Sequence, residues 1–245
     1  MVKITTIFLS FLLFLPGNMQ EANDRMQGIN NKRHYDYPWK VHKIARDFKL
    51  LDVWEFQILA DKTKNQNFRF FLKILQKKQS YNLKNYFSPR FLFAGFLFVL
   101  REFIGKTFSL DKDVNTLPIP GCKETSLRER LSKKDQKENL AEEEIKGNKK
   151  KHGFRMVYLY ETESLWELSN NTVHALMHLG WVHKYGNYYT AQLAVYAKTR
   201  GRLGSLYMKL IMPFRRRIVY PVLMNTVKSR WEELCKSIKY NKEPG

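Results

Sequence analysis

Cysteine is almost missing from this sequence. Cys122 and Cys235 are the only two, they form no CxxC or Cys/His cluster, and neither a disulfide framework nor a zinc site is indicated. Neither thiol stands in a nucleophile motif. A glycine-rich phosphate loop, a GxSxG elbow and a paired-carboxylate motif are absent as well, so an enzyme here must assemble its site from separated residues. No uncharged apolar run reaches the roughly 20 residues that a helix needs to cross a bilayer. Acidic residues are scarce, 23 against 43 lysines and arginines, which leaves a formal charge of +20. Such a charge raises nucleic acid, an anionic membrane surface or an acidic partner. The lysines are scattered through loops among many asparagines, without a helix-turn-helix, zinc-finger or RNA-recognition signature, so nucleic acid is not the expected partner. An anionic membrane surface stays open.

Aromatic residues are plentiful, at 14% of the 245 residues with 17 phenylalanines, enough to build a core or to line an apolar cavity. The N-terminal run Ile4 to Leu15 follows a single Lys3 and lacks a small-x-small cleavage site. It reads as a weak signal peptide, an interfacial anchor or the product of a mis-chosen start codon, with Met19 or Met26 as the true beginning. The last is favoured, which makes the expected location cytoplasmic; a real N-terminal run makes it secreted or membrane-associated.

One domain is expected over 34–238, after an N-terminal segment of 1–33 and before a tail of 239–245. Val53 to Leu59 reads as a first strand, and Asn67 to Lys77 as a helix whose Phe68, Phe71, Leu72 and Leu75 share one face. Phe91 to Leu100 is a buried helix or an interfacial membrane contact. Ser132 to Gly153 is rich in Lys, Glu, Asn and Gln and reads as a solvated or disordered insertion. Arg155 to Tyr160 reads as a strand and Glu163 to Ser169 as a short helix or turn. Thr172 to His183 and Tyr188 to Lys198 form a hairpin through a four-residue turn, Lys184 to Asn187. After Gly201 the period becomes helical, with Leu203, Tyr207, Leu210, Ile211, Phe214 and Ile218 on one stripe. Pro213 and Pro221 divide the segment into three short pieces, the last from Val222 to about Lys236. The fold class is α+β, an antiparallel sheet curled around a C-terminal helical segment.

His174 and His178 have the HxxxH spacing of a helical metal site, but Thr172, Val173, Leu176 and Val182 make the segment a strand. Residues four apart on a strand lie about 13 Å from each other, too far to share one ion. No metal or other cofactor is expected. On the strand both histidines share a face with Leu176 and Val182, while Met177 and Trp181 take the other. A four-residue turn places Leu193 and Val195 on the histidine face and Thr190 and Gln192 on the Trp181 face.

Tyr37-Pro38-Trp39, Asp52-Val53-Trp54 and Ser126-Leu127-Arg128-Glu129-Arg130-Leu131 resemble segments of a bacterial domain-of-unknown-function family. So do Asn171-Thr172-Val173-His174, His178-Leu179-Gly180-Trp181-Val182, Gly201 to Met208, Pro213-Phe214-Arg215 and Ile218-Val219-Tyr220-Pro221. The resemblance spans about Tyr37 to Glu233. Family members are placed near the START and polyketide-cyclase-like (SRPBCC) helix-grip proteins, and some are fused to an epimerase-like dehydrogenase domain. The resemblance implies an apolar small molecule or lipid as ligand and supplies no catalytic residues. Arg216 stands where relatives are expected to carry histidine.

The leading expectation is a cavity that holds an apolar ligand, lined by Trp181, Gln192 and Tyr207 with Arg215 at its mouth. A competing face uses His174 and His178. Two alternatives stand beside it: a cyclase- or dehydratase-like enzyme with His174 or His178 as general base, and a basic peripheral membrane protein held by Phe91 to Leu100.

Overall fold

The computed structural model describes residues 31–76, 117–141 and 154–240. The N-terminal run, the apolar segment 91–100 and residues 142–153 of the charged stretch lie outside the described residues. An antiparallel sheet of six strands organises the rest: β1 (Lys49–Glu55), β2 (Ala60–Asp61), β3 (Arg155–Leu159), β4 (Glu163–Ser169), β5 (Val173–Tyr185) and β6 (Tyr188–Thr199). The strand order is β1-β6-β5-β4-β3, with β2 paired to β6 as well, and the sheet is open.

The hairpin of β5 and β6 is the longest pairing, with strands of 13 and 12 residues. Its turn is shorter than the sequence reading expects. Tyr185 pairs with Tyr188, so only Gly186 and Asn187 make the connection, and Gly186 takes φ +51°, the positive φ that tight hairpin turns demand. A bulge between His183 and Tyr185 absorbs the remaining residue. The register therefore differs from that of a four-residue turn. Gly180 faces Gln192 and Leu179 faces Leu193, which moves Gln192 to the histidine face and Leu193 to the Trp181 face.

Glu163 to Ser169 is a strand, β4, in place of the expected helix or turn. Its residues alternate between the two sheet faces, both of which are covered, and burial on each side outweighs the weak strand preference of two glutamates.

Both faces carry a core. On one, Trp54, Phe56, Leu179, Trp181 and Leu193 meet α3 (Phe68–Gln76) and the C-terminal helix. The expected face of α3 is buried through Phe68, Phe71 and Leu72. On the other, Leu50, Val53, Leu165, Leu176, Val182 and Tyr196 are covered by residues 37–48 and by Ile119, Leu127 and Leu131. Two short helices precede β1 on that side, α1 (Asn31–Tyr35) and α2 (Val41–Ile44).

The described part of the charged stretch is ordered. Ser132 caps α4 (Lys133–Lys137) by accepting from the Asp135 amide at 3.1 Å, and Asp135 pairs with Lys40. Asn139 is buried: its amide donates to Val157 O, and its carbonyl accepts from the Leu159 and Ala141 amides.

The C-terminal segment runs as α5 (Gly201–Phe214), a wide π turn over Arg215–Val219, and α6 (Tyr220–Tyr240). Pro213 lies within α5 and Pro221 in the first turn of α6, to either side of the wide turn, so the chain stays helical through both in place of breaking into three short pieces. Asp52 pins this turn, accepting from Arg216 Nε at 2.7 Å and from the Tyr220 hydroxyl at 3.2 Å. Tyr220, Met224, Val227 and Trp231 of α6 supply the core stripe. The stripe read on α5 is out of phase at its start, since Leu203 is 68% exposed while Gly204 is buried. A Cβ at Gly204 would stand 2.2 Å from Thr172 O, so only glycine lets α5 cross the sheet there.

Candidate functional site

Each of two neighbouring strands carries a polar pair at a spacing of four: Glu163 and Glu167 on β4, His174 and His178 on β5. Even spacing keeps each pair on one sheet face. The register sets Glu163 opposite Gly180 and Glu167 opposite Leu176, so each glutamate reaches a histidine diagonally, two residues along. Glu167 Oε2 accepts from His174 Nε2 at 3.1 Å, and Glu163 Oε2 accepts from His178 Nε2 at 3.0 Å. Both imidazoles are fully buried.

The two pairs have different surroundings. Glu167 also accepts from the Ser126 hydroxyl, from the Leu127 amide at 3.0 Å and from Arg155 Nε at 2.8 Å. Ser126 and Glu129 there form a capping box on the 3₁₀ turn Leu127–Arg130. That pair is sealed by a cation and a capped turn, an arrangement suited to holding the loop on the sheet.

Glu163 lies instead beneath residues 31–48, the N-terminal strap that crosses this face of the sheet. It accepts from the Lys40 amide at 3.0 and 3.2 Å and from the Tyr158 hydroxyl at 2.7 Å. Burial works against its charge, yet His178, Tyr158 and the Lys40 amide outweigh it and hold the carboxyl below the usual range. Glu167 is lowered likewise, against burial, chiefly by His174 and Ser126. Burial first, and the Glu163 charge second, push the Tyr158 hydroxyl well up, so it stays a donor.

Around His178 the strap builds an aromatic knot. The ring centroids of Trp39 and His34 each lie 5.3 Å from that of His178, and His42 lies 5.0 Å from His34. Gly180 makes room for it, because a Cβ there would stand 2.9 Å from the Trp39 ring. His34 Nδ1 is 2.8 Å from Gln192 Oε1 and its Nε2 is 2.8 Å from the Tyr196 hydroxyl. Burial, with His178 next to it, lowers the proton affinity of His34 to about 3, and the same two causes lower that of His42.

Five buried side-chain nitrogens have no hydrogen-bond partner among the described residues: Trp39 Nε1, His42 Nε2, Trp54 Nε1, His174 Nδ1 and His178 Nδ1. Three of them, on Trp39, His42 and His178, belong to the knot. Native interiors leave few such atoms, so three in one place make the knot the candidate site.

The structure brings together His178 and Gln192, with His174 four residues away along β5 on the same face. It separates them from Trp181, which packs on the opposite face against Phe68 and Phe71 at ring-centroid distances of 6.0 and 5.7 Å. Tyr207 is half-buried on α5, and Arg215 binds the Tyr220 hydroxyl beside Asp52 on the Trp181 side. Glu163, Glu167, His34, Trp39, His42 and Tyr196 escape a reading by sequence. The one available signal is the shared spacing of four in Glu163-x-x-x-Glu167 and His174-x-x-x-His178 on consecutive strands.

No group of three or more His, Cys, Asp and Glu side chains placed to hold a metal ion occurs among the described residues. Nor is any helix among them long and apolar enough to cross a membrane.

No curated protein and no solved structure matches the chain. The model of the family described as Protein of unknown function (DUF2867) matches residues 44–222, a stretch that holds all six strands, both glutamate–histidine pairs, Gln192 and Tyr196. On that match the chain belongs to the DUF2867 family of proteins of unknown function.

Proposed function

We propose that the domain binds a small, mostly apolar molecule between the strap and the sheet face of His178, Gln192 and Tyr196. The observation that carries the reading is the buried His178 Nδ1, which has no hydrogen-bond partner and is flanked by the Trp39 and His34 rings. Glu163 accepts from Nε2–H, which leaves Nδ1 as a lone-pair acceptor for a donor on the ligand. Aromatic walls with a few convergent polar atoms are what such sites consist of. The resemblance to START-like helix-grip proteins supports the same ligand class.

A second reading, proton transfer, is favoured by the Glu163–His178 pair itself. A carboxylate behind an imidazole fixes its tautomer and stabilises the imidazolium formed when Nδ1 takes a proton. Lys40 and Tyr158 keep that carboxylate ionised through donated hydrogen bonds. A ligand with an acidic O–H or C–H next to Nδ1 would then be a substrate, and His178 its general base.

Titration of the intact protein with 2-naphthol, an apolar fluorescent dye with one hydroxyl donor, tests the binding reading. Saturable binding at one site is expected, weakened about tenfold by His178→Ala, the equivalent of one lost hydrogen bond of about 1.4 kcal/mol. Leu203→Ser, on the exposed side of α5, leaves it unchanged. Binding that His178→Ala does not alter, or no saturable binding, defeats the proposal.

A further inference from the structure

His34 fills a slot with a defined hydrogen-bond pattern. Its ring gives Nδ1–H to Gln192 Oε1 and receives the Tyr196 O–H at Nε2, both at 2.8 Å. Trp39 stacks on it at 6.4 Å with 29° between the planes. Gln192, Tyr196 and His178 lie within the matched family stretch, whereas His34 precedes Ile44, where that stretch begins. The ring that occupies the slot therefore comes from outside the matched domain, on a helix of 5 residues beyond the Tyr37–Pro38 bend.

We infer that this slot is the binding site of a neutral planar heterocycle with a ring N–H and an acceptor across one carbon, and that His34 is a built-in competitor which the ligand displaces. The inference rests on the reading of the histidine face as a ligand site and adds the ligand's chemistry.

The unpartnered nitrogens carry it further. Trp39 Nε1 can only donate and asks for a second acceptor on the ligand, while His178 Nδ1 accepts and asks for a second donor. A five-membered imidazole leaves both unanswered. A larger lactam or fused azole in the same plane would satisfy Gln192 and Tyr196 with one edge and these nitrogens with another. The rings around His34 are Tyr35, Trp39, His42, His178 and Tyr196, and the nearby Glu163 carboxylate is already taken up by His178, Tyr158 and the Lys40 amide, so it is not offered to a cation in the slot. The low proton affinity of His34 agrees with a site that excludes cations.

Calorimetric titration of the full chain with imidazole itself, at about pH 8 where the free ring is neutral, is the test. His34→Ala is expected to bind one imidazole at least about tenfold more tightly than the wild type, because the competing side chain no longer occupies the slot. Adding Gln192→Leu to His34→Ala should abolish that binding. Equal affinity in wild type and His34→Ala, or none in His34→Ala, overturns the inference. Should His34→Ala not fold, ring-nitrogen NMR of the wild type serves instead. At high imidazole the His34 signals are expected to move to solvent-exposed values, and signals that stay fixed overturn the inference. The His178-dependent dye binding is read independently, so failure of one proposal is distinguishable from failure of the other.

Discussion

At the scale of single residues the account turns on four buried side chains that a sequence presents as ordinary polar ones. His174 and His178 are legible as neighbours on one strand face, because strand residues four apart point the same way. Their partners are not legible, because glutamates near a turn read as surface groups until the register of β4 against β5 is known. Glu163 is the most consequential of them, with four donated hydrogen bonds from three groups. Glu163→Gln replaces one acceptor oxygen with a donor that faces the Tyr158 and His178 donors. A loss of about 2–4 kcal/mol in urea unfolding is expected, in the range for breaking a buried charged network. His34 makes a second residue-scale prediction. An unfolded histidine takes its proton at about pH 6.5, whereas folded His34 takes one only at about 3. Between these values the unfolded chain binds more protons, so acid lowers stability, by up to about 1.4 kcal/mol per pH unit for each such group. The carboxyls of Glu163 and Glu167 act in the same direction at lower pH. Their folded values are depressed, so the stability they add is present above the unfolded value of about 4.3 and is lost as pH falls through the folded one. Urea midpoints for His34→Gln are expected to change less between about pH 7 and pH 5 than those of the wild type.

Among the elements, the hairpin and α3 are plain in the sequence because alternation and the 3.6-residue period act within one segment. The hairpin's register is not, since Gly186-Asn187 and Lys184-to-Asn187 are both acceptable turns and differ in which face Gln192 joins. β4 is hidden for another reason: its strand state is decided by neighbours on both faces, not by its own composition. Two glycines mark where elements approach most closely. Gly204→Ala pushes a methyl against the Thr172 carbonyl and must lift the start of α5, at a cost of about 1–3 kcal/mol in thermal or urea unfolding. Gly180→Ala presses on the Trp39 ring instead. Its expected effect is local, a shift in tryptophan emission and faster proteolysis within residues 31–43, with the far-ultraviolet spectrum unchanged.

At the scale of the molecule, the described residues form an open antiparallel sheet with an apolar core on each face, one beneath the C-terminal helix and the other beneath the strap, where buried histidines and glutamates are set among the apolar side chains. The sequence leads to an α+β fold with a C-terminal helix, and it places the ligand first on the Trp181 side, with the histidine side as the competing face. The two sides separate once Trp181 is packed among phenylalanines and Gln192 is bonded to His34. On the proposed reading, a ligand meets a lone-pair nitrogen on His178, oriented by Glu163 and walled by Trp39. Ring-nitrogen NMR of the histidines tests that directly. The account predicts that the neutral His178 ring is the tautomer with its proton on Nε2, facing Glu163, and that the Nδ1 signal shifts when a heterocycle binds. A neutral ring with its proton on Nδ1, or an Nδ1 signal indifferent to any bound heterocycle, contradicts it.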